Sequence, residues 1–323
     1  MNQPPVTIVV CAYNAAKDIQ ETLESLLVQT YRNFEILVVD DASTDETPAI
    51  CAGFMARDPR VRVVRHPENV GLSHGRNTGV KEASHELLTF IDADDIALPN
   101  MVETLVRELL ADSNRMGVSA YRIYFDDDRD LGLQKIGPTS LEAYMVLYTG
   151  NKLMFLTYPN LVRRKDVLQV GGYRVDIFDD GTGVRYADLC EDLDIWCRMS
   201  DLSAEGRYFI TLEEPLSKYR KPADSMSTKN VKHMQNKMRW IKHCLLRRRM
   251  GESELSYGDF LANQTWRDRL GNGRKDLAAG VYKKAGLFYG QRRFLRMAFC
   301  VVAAAFLSPK LISQKIKTQA VRG

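Results

Sequence analysis

Carboxylates are the residues whose types and spacing first suggest chemistry. Asp92, Asp94 and Asp95 close the run LLTFIDADD at 87–95, Asp40 and Asp41 follow FEILVV, and Glu191 and Asp192 open EDLDIWCRM. Acids clustered this closely repel one another. That cost makes sense where a hard cation such as Mg²⁺ or Mn²⁺ bridges them to phosphate oxygens. A carboxylate within about 3 Å of a hydroxyl can also take its proton, which turns a poor nucleophile into a useful one. Asp is equally at home in turns and at helix N-caps, so from the pattern alone a solvated acidic turn stands beside the functional reading.

The elements that must carry these acids can be read from apolar spacing. Residues 6–11 (VTIVVC), 34–39, 61–65 and 87–92 read as strands buried on both faces. Helical periodicity follows each: Ile19, Leu23, Leu26 and Leu27; a helix from about Glu46; a short helix entered through NVGLSHGRNTG; and Val102, Leu105, Val106, Leu109 and Leu110 after Pro99. Four strand–helix alternations predict a doubly wound, mostly parallel sheet with right-handed crossovers. The acids then sit at the carboxyl edge of the sheet, where such folds bind ligands. Beyond residue 110 the alternation breaks. A strand at 117–125, a helix at 138–148, a loop at 176–188, a helix at 191–199 and short strands at 208–210 and 215–219 are expected. From 229 onward the chain reads as helical, with interruptions near Gly251 and Gly271 to Gly273.

The 323 residues, 45% hydrophobic and 27% charged, are globular in composition and large enough for a sizeable core with an appendage. The net charge of +4 conceals an asymmetry. Residues 229–323 hold 21 Lys+Arg against 5 Asp+Glu, a balance of +16, which leaves 24 against 36, or −12, for 1–228. A basic tail on an acidic body suggests an anionic surface. Six scattered cysteines without a CxxC pair fit reduced thiols in the cytoplasm. The start MNQPPVTIVV lacks the features of a signal peptide, and the longest apolar run, 297–307, falls short of the ~20 residues that cross a bilayer. Motifs for dinucleotide, P-loop, hydrolase and zincin chemistry are missing from the sequence.

Four stretches in order, CAYN at 11–14, VVDDASTDET at 38–47, NVGLSHGRNTG through FIDADD at 69–95, and ED followed by W at 191–196, resemble the family 2 glycosyltransferases of the GT-A fold. The resemblance covers about residues 5–225. It implies an inverting transfer of a sugar from a nucleotide diphosphate donor, a UDP-sugar first among them, with Mg²⁺ or Mn²⁺ as cofactor. By position it implies that Tyr13 flanks the nucleobase and that Asp40 or Asp41 accepts from the pyrimidine. Arg76 and Asn77 would lie near ribose and diphosphate, Asp92 would contact the donor and share the metal, and Asp94 would bind the metal. Asp192 matches the general base and Glu191 its acidic neighbour. Trp196, Asp95 and Arg220 are assigned to the acceptor side.

Two departures stand out. Cys11 occupies a position usually held by proline. In the late loop Tyr219, Arg220, Ser225, Ser227, Pro222 stands where the family often has a metal-binding histidine, so that Asp224 or water would substitute.

The domain expectation is a catalytic domain at 1–228, with a nucleotide-sugar half at 1–98 and an acceptor half at 99–228, and a helical basic extension at 229–323. Basic residues flanking the apolar stretch 294–307 suit an interfacial segment on the anionic inner face of the cell membrane, where a glycan or lipid-linked acceptor would be met. The alternative is a helical subdomain packed on the body or on a second protomer as a homo-oligomer. Nucleic acid is not expected, since aromatics are not interleaved as stacking platforms. Two other functions stay open: a sugar-nucleotide nucleotidyltransferase, whose Gly-rich basic loop CAYNAAKD does not supply, and a non-catalytic nucleotide-sugar-binding assembly protein.

Overall fold

The structure, a computed structural model, describes residues 3–126, 129–175, 178, 181, 183–220, 230–290, 293–309 and 313. Its strands are β1 (Val6–Ala12), β2 (Phe34–Asp40), β3 (Val61–Arg65), β4 (Leu87–Asp92), β5 (Ile96–Ala97), β6 (Arg115–Asp126), β7 (Arg129–Gln134), β8 (Asn160–Arg163) and β9 (Tyr208–Arg220). The helices of the body are α1 (Ile19–Leu27), α2 (Thr47–Arg57), α3 (Leu72–Glu82), α4 (Met101–Leu110), α5 (Leu141–Thr149), α6 (Arg164–Gln169), α7 (Glu191–Met199) and α8 (Val231–Arg249).

One sheet runs β3-β2-β1-β4-β8-β6-β9-β5, with β7 paired to β6. The first four strands are parallel, as the alternation predicts, and the order reverses between β1 and β4. That reversal opens a crevice at the carboxyl edge. In register, Ala12 of β1 sits opposite Asp40 and Cys11 opposite Asp92. The acids that end β2 and β4 therefore flank the end of β1.

The second half departs from simple winding. Antiparallel β8, only four residues long, is inserted between β4 and β6, and was not legible as a strand. The two strands read at 208–210 and 215–219 are one strand, β9, whose pairing with β6 shifts register where Glu213 and Glu214 bulge.

Two glycines set how closely α3 approaches the sheet. A Cβ on Gly75 would rest 3.4 Å from the Cys11 sulfur, an acceptable contact, whereas one on Gly79 would overlap the fully buried Val9 side chain.

The chain divides into two compact units, residues 1–254 and 255–323. The boundary expected at 228 therefore moves to 254, because α8 belongs to the body. Trp240, Ile241, Cys244 and Leu245 of α8 are buried. The helix is also bolted down by charge. Arg248 and Arg249 both hold Asp201, Arg249 donates to Tyr148 O and Asn151, and Glu254 joins Arg248 to Arg174, which pairs with buried Asp194 of α7. Arg248 and Arg249, counted into a basic tail, are thus partners of acids within the body.

The second unit holds α9 (Tyr257–Ala262), α10 (Trp266–Gly290) and α11 (Phe294–Leu307). Thr265 and Asp268 cap α10 reciprocally, each accepting the other's backbone N–H. The helix continues through Gly271 and Gly273, where an interruption was expected.

Gly79→Ala is expected to destabilise the fold by about 1–3 kcal/mol through overpacking against Val9. Gly75→Ala should change little. Urea denaturation midpoints of the two variants check the difference.

Candidate active site

A cavity of about 430 Å³ opens at the carboxyl edge of β4. Asp92 and Asp94 come from the end of β4, Arg76 from α3, Glu191 and Asp192 from the first turn of α7, and Met234 and Met238 from α8. Arg122, Phe155, Tyr158, Asp188 and Tyr219 complete most of its polar and aromatic lining.

Arg76 is the hub. Its guanidinium is buried, 2.6 Å from Glu191 Oε1 and 3.2 Å from Asp92 Oδ1, and it donates to the Tyr158 hydroxyl. It lies over the Tyr158 ring at 4.2 Å, with the Tyr173 ring at 5.6 Å. Burial works against its charge, but Tyr158, Glu191 and Asp92 outweigh that and hold it firmly protonated. The two tyrosine hydroxyls are 3.1 Å apart, and both rings meet Phe90 of β4 edge-on.

Asn77, expected beside the donor, has a different task. Its amide accepts from Tyr173 N at 2.8 Å and donates to Tyr173 O at 2.7 Å, which clamps the glycine turn 171–173 onto α3. Neighbours in sequence thus divide the work: Arg76 enters the cavity and Asn77 fixes the tyrosine beneath it.

Glu191 and Asp192 are aimed by Cys190, whose backbone is left-handed at φ 55°. A non-glycine residue held there is strained, and such strain concentrates at functional sites. Burial pushes Glu191 up to about 8 against the pull of Arg76, and it raises Asp192 in the same way. At the other wall, burial and the neighbouring Asp92 push Asp94 up to about 6. For Asp94 burial and a like charge leave the ionised form costly, as expected of a group that waits for a cation.

Among the described residues no cluster of three or more metal-ligating side chains exists. Asp92 and Asp94 nevertheless fit Mg²⁺ or Mn²⁺, which bind through one or two carboxylates plus substrate phosphates and water. Pro222 and Asp224, with Ser225 and Ser227, lie outside the described residues.

Other expected site residues take structural positions. Asp41 accepts from Val70 N and Gly71 N and meets His66 Nδ1 at 2.7 Å. Asp40 accepts from Ser43 N and pairs with Arg65. Both carboxylates are buried at the sheet edge, and Tyr13 stands exposed there. Asp95 is buried and accepts from Arg220 N at 3.0 Å, while Arg220 pairs with Asp18 and Glu21. Trp196 is wholly buried against Tyr158 and Phe209. None of these three assigned to the acceptor lines the cavity. Cys11, in place of proline, is an inert spacer whose thiol burial pushes up to about 12.

Asp188 was not singled out by sequence. Its carboxylate accepts from Ser73 N at 2.8 Å, and Ser73 Oγ donates to Ala187 O, so the segment before α7 is tied to the start of α3. Tyr186 extends the chain of contacts to α8 through His233 Nδ1 at 2.7 Å. An acid four residues before Asp192 was the available signal.

Fold and site together define an α/β protein with a ligand crevice at a topological switch point, faced by two pairs of carboxylates and a buried guanidinium. The chain belongs to glycosyl transferase family 2, whose model matches residues 7–172. It is 38% identical over 123 residues to glycosyltransferase GlyG of Streptococcus pneumoniae, covering 38% of this chain and 41% of GlyG. It is 37% identical over 169 residues to the putative glycosyltransferase EpsH of Bacillus subtilis, covering 51% of this chain and 48% of EpsH. Each match thus spans less than half of the relative. Among solved structures, residues 1–349 of Staphylococcus aureus TarS in complex with UDP match with TM-score 0.55 at 16% identity, over 95% of this chain and 92% of that one. The mannosyltransferase PcManGT of Pyrobaculum calidifontis, with GDP-Man and Mn²⁺, matches with TM-score 0.56 at 19% identity, over 99% and 80%. These likenesses establish the GT-A-type fold.

Arg76→Met leaves Glu191 and Asp92 without their shared partner. At pH 9 it should cost about 3–5 kcal/mol, the scale of breaking a buried ion pair. The loss should shrink at pH 6, below the raised Glu191 value, where that carboxyl holds a proton, and Glu191→Gln in the same background should recover part of it. Denaturation of the four members of the double-mutant cycle at both pH values checks this.

Proposed function

We propose that the protein transfers a sugar from a nucleoside diphosphate sugar, a UDP-sugar by preference, to a hydroxyl of a glycan or lipid-linked acceptor, with inversion. The observation that carries the proposal is the convergence of Asp92 and Asp94 on one side of the cavity with Glu191 and Asp192 on the other, Arg76 joining the two. Polysaccharide assembly at the cytoplasmic face of an anionic membrane is the proposed setting, which the basic C-terminal sequence supports.

In this reading Asp92 and Asp94 would hold Mg²⁺ or Mn²⁺, which when bound neutralises the growing charge of the leaving diphosphate. Asp192 takes the proton of the acceptor hydroxyl as it attacks the anomeric carbon from the face opposite the diphosphate, through an oxocarbenium-like transition state. Its raised affinity for protons makes it a stronger base than an exposed carboxylate. Glu191 is a positioning residue: its pair with Arg76 fixes the turn that aims Asp192 and keeps the guanidinium at the cavity wall. Asp40, Asp41 and Tyr13 lie at the edge where the base would stack, and Asp41 also holds the Val70–Gly71 amides. Leu193, Phe155, Met234 and Met238 give the acceptor side an apolar wall suited to the C–H face of a sugar or to a lipid chain.

Asp192→Asn is expected to lower nucleotide release with Mn²⁺ by about 10²–10⁴-fold. In wild type, kcat/KM should fall as pH drops through the Asp192 pKa, with a midpoint above the ordinary carboxylate range because the active form is ionised and its pKa is raised. Unchanged transfer by Asp192→Asn would remove the assignment. Met234→Gln with Met238→Gln should raise the acceptor KM about tenfold or more while release of nucleotide to water is retained, and a parallel loss of transfer and of that release would assign the two methionines to stability instead.

A further inference from the structure

The feature the transfer reaction leaves unused is the outer face of α11. Leu295, Phe299, Val302 and Phe306 recur at i, i+4, i+7 and i+11, so they form one stripe along the helix. They are 90%, 74%, 69% and 83% exposed, while Cys300 and Ala304 on the other side are buried. On α10 the same spacing exposes Trp266, Leu270 and Leu277, a tryptophan among them. Stripes of this size are not left in water without a use.

Charge says what covers the stripe. After Asp276 the sequence has no Asp or Glu, and residues 277–323 contain nine Lys+Arg, of which Arg293 and Arg296 lie exposed at the start of α11. Pairing two copies of this face would bring like charges together, whereas an anionic lipid surface rewards each of them. Length says how the helix sits. Fourteen residues extend roughly 21 Å at 1.5 Å each, short of a hydrocarbon core of about 30 Å. Among the described residues no helix is long and apolar enough to cross a membrane.

We infer that α11 lies in the plane of an anionic phospholipid leaflet, with Leu295, Phe299, Val302 and Phe306 sunk into the boundary between headgroups and acyl chains and the flanking basic residues against lipid phosphates. The inference rests on the proposed membrane setting but not on the transfer chemistry, so the two fail separately.

The test is flotation of the full chain with phosphatidylcholine vesicles, with and without phosphatidylglycerol, and without any donor. Two double variants are compared, Leu295→Ser with Phe299→Ser and Val302→Ser with Phe306→Ser, each checked for native circular dichroism. Wild type should float with the anionic vesicles, less so in high salt, and little with phosphatidylcholine alone. Each double variant should lose about tenfold or more in partitioning, with nucleotide release to water unchanged. Flotation by a preparation that releases no nucleotide supports the docking surface and counts only against sugar transfer. The inference is overturned if wild type stays in solution with anionic vesicles or if both double variants float as wild type does. A wild-type dimer in sedimentation that the variants dissociate, without flotation, overturns it too and assigns the stripe to a second copy.

Discussion

A buried guanidinium that must be neutralised from two directions is the constraint on which the rest of this structure depends. Arg76 leaves α3, where Gly79 lets the helix press onto β1, and reaches a position that neither the sheet nor α7 could fill alone. Each carboxylate it meets belongs to a different wall, Asp92 to β4 and Glu191 to α7. The pair of contacts therefore fixes the width of the crevice as well as balancing charge. Tyr158 and Tyr173 surround the cation with aromatic rings, which stabilise it without adding negative charge to a region already rich in acid.

The same constraint explains the supports around it. Tyr173 is useful only if the 171–173 turn is held, and Asn77 holds it. Glu191 points at Arg76 only if α7 starts where it does, and the left-handed backbone at Cys190 starts it there. Asp188 and Ser73 then tie the approach to α7 onto α3, so Arg76 and Glu191 ride on elements fastened to each other. The carboxylates away from the guanidinium, Asp94 and Asp192, are the ones with spare capacity for a cation or a proton.

How much of this was legible in the sequence follows from the range of the interactions. The first four strands were readable because apolar runs buried on both faces leave an unmistakable pattern, and Asp92, Asp94, Glu191 and Asp192 were readable because they sit at element ends. Residues that act through a distant partner carry no mark of it in the sequence. Asn77 looks like a ligand-binding amide until Tyr173, 96 residues later, is seen to occupy it. Asp41 looks available until Val70, Gly71 and His66 close on it. Trp196 and Asp95 lie within motifs yet point into the core. The basic balance after residue 229 averaged two different things, internal arginines of α8 that pair with Asp201 and Glu254 and an unbalanced stretch beyond Asp276.

The placement of α8 has a consequence for how such a molecule can be altered. Residues 7–172, the stretch that matches the family, supply the sheet edge and Arg76, whereas Asp188, Glu191, Asp192, Met234 and Met238 come later in the chain. The cavity is therefore a seam between two consecutive pieces of sequence, stitched at Arg76–Glu191 and Ser73–Asp188. A piece grafted in place of residues 173–254 would present a new wall if it kept three features: an acid to meet Arg76, one to cap α3, and a strand in the place of β9, which pairs with both β6 and β5. Interchangeability of this kind is bounded by the core the two pieces share, where Trp196 packs on Tyr158 and β9 lies against β6.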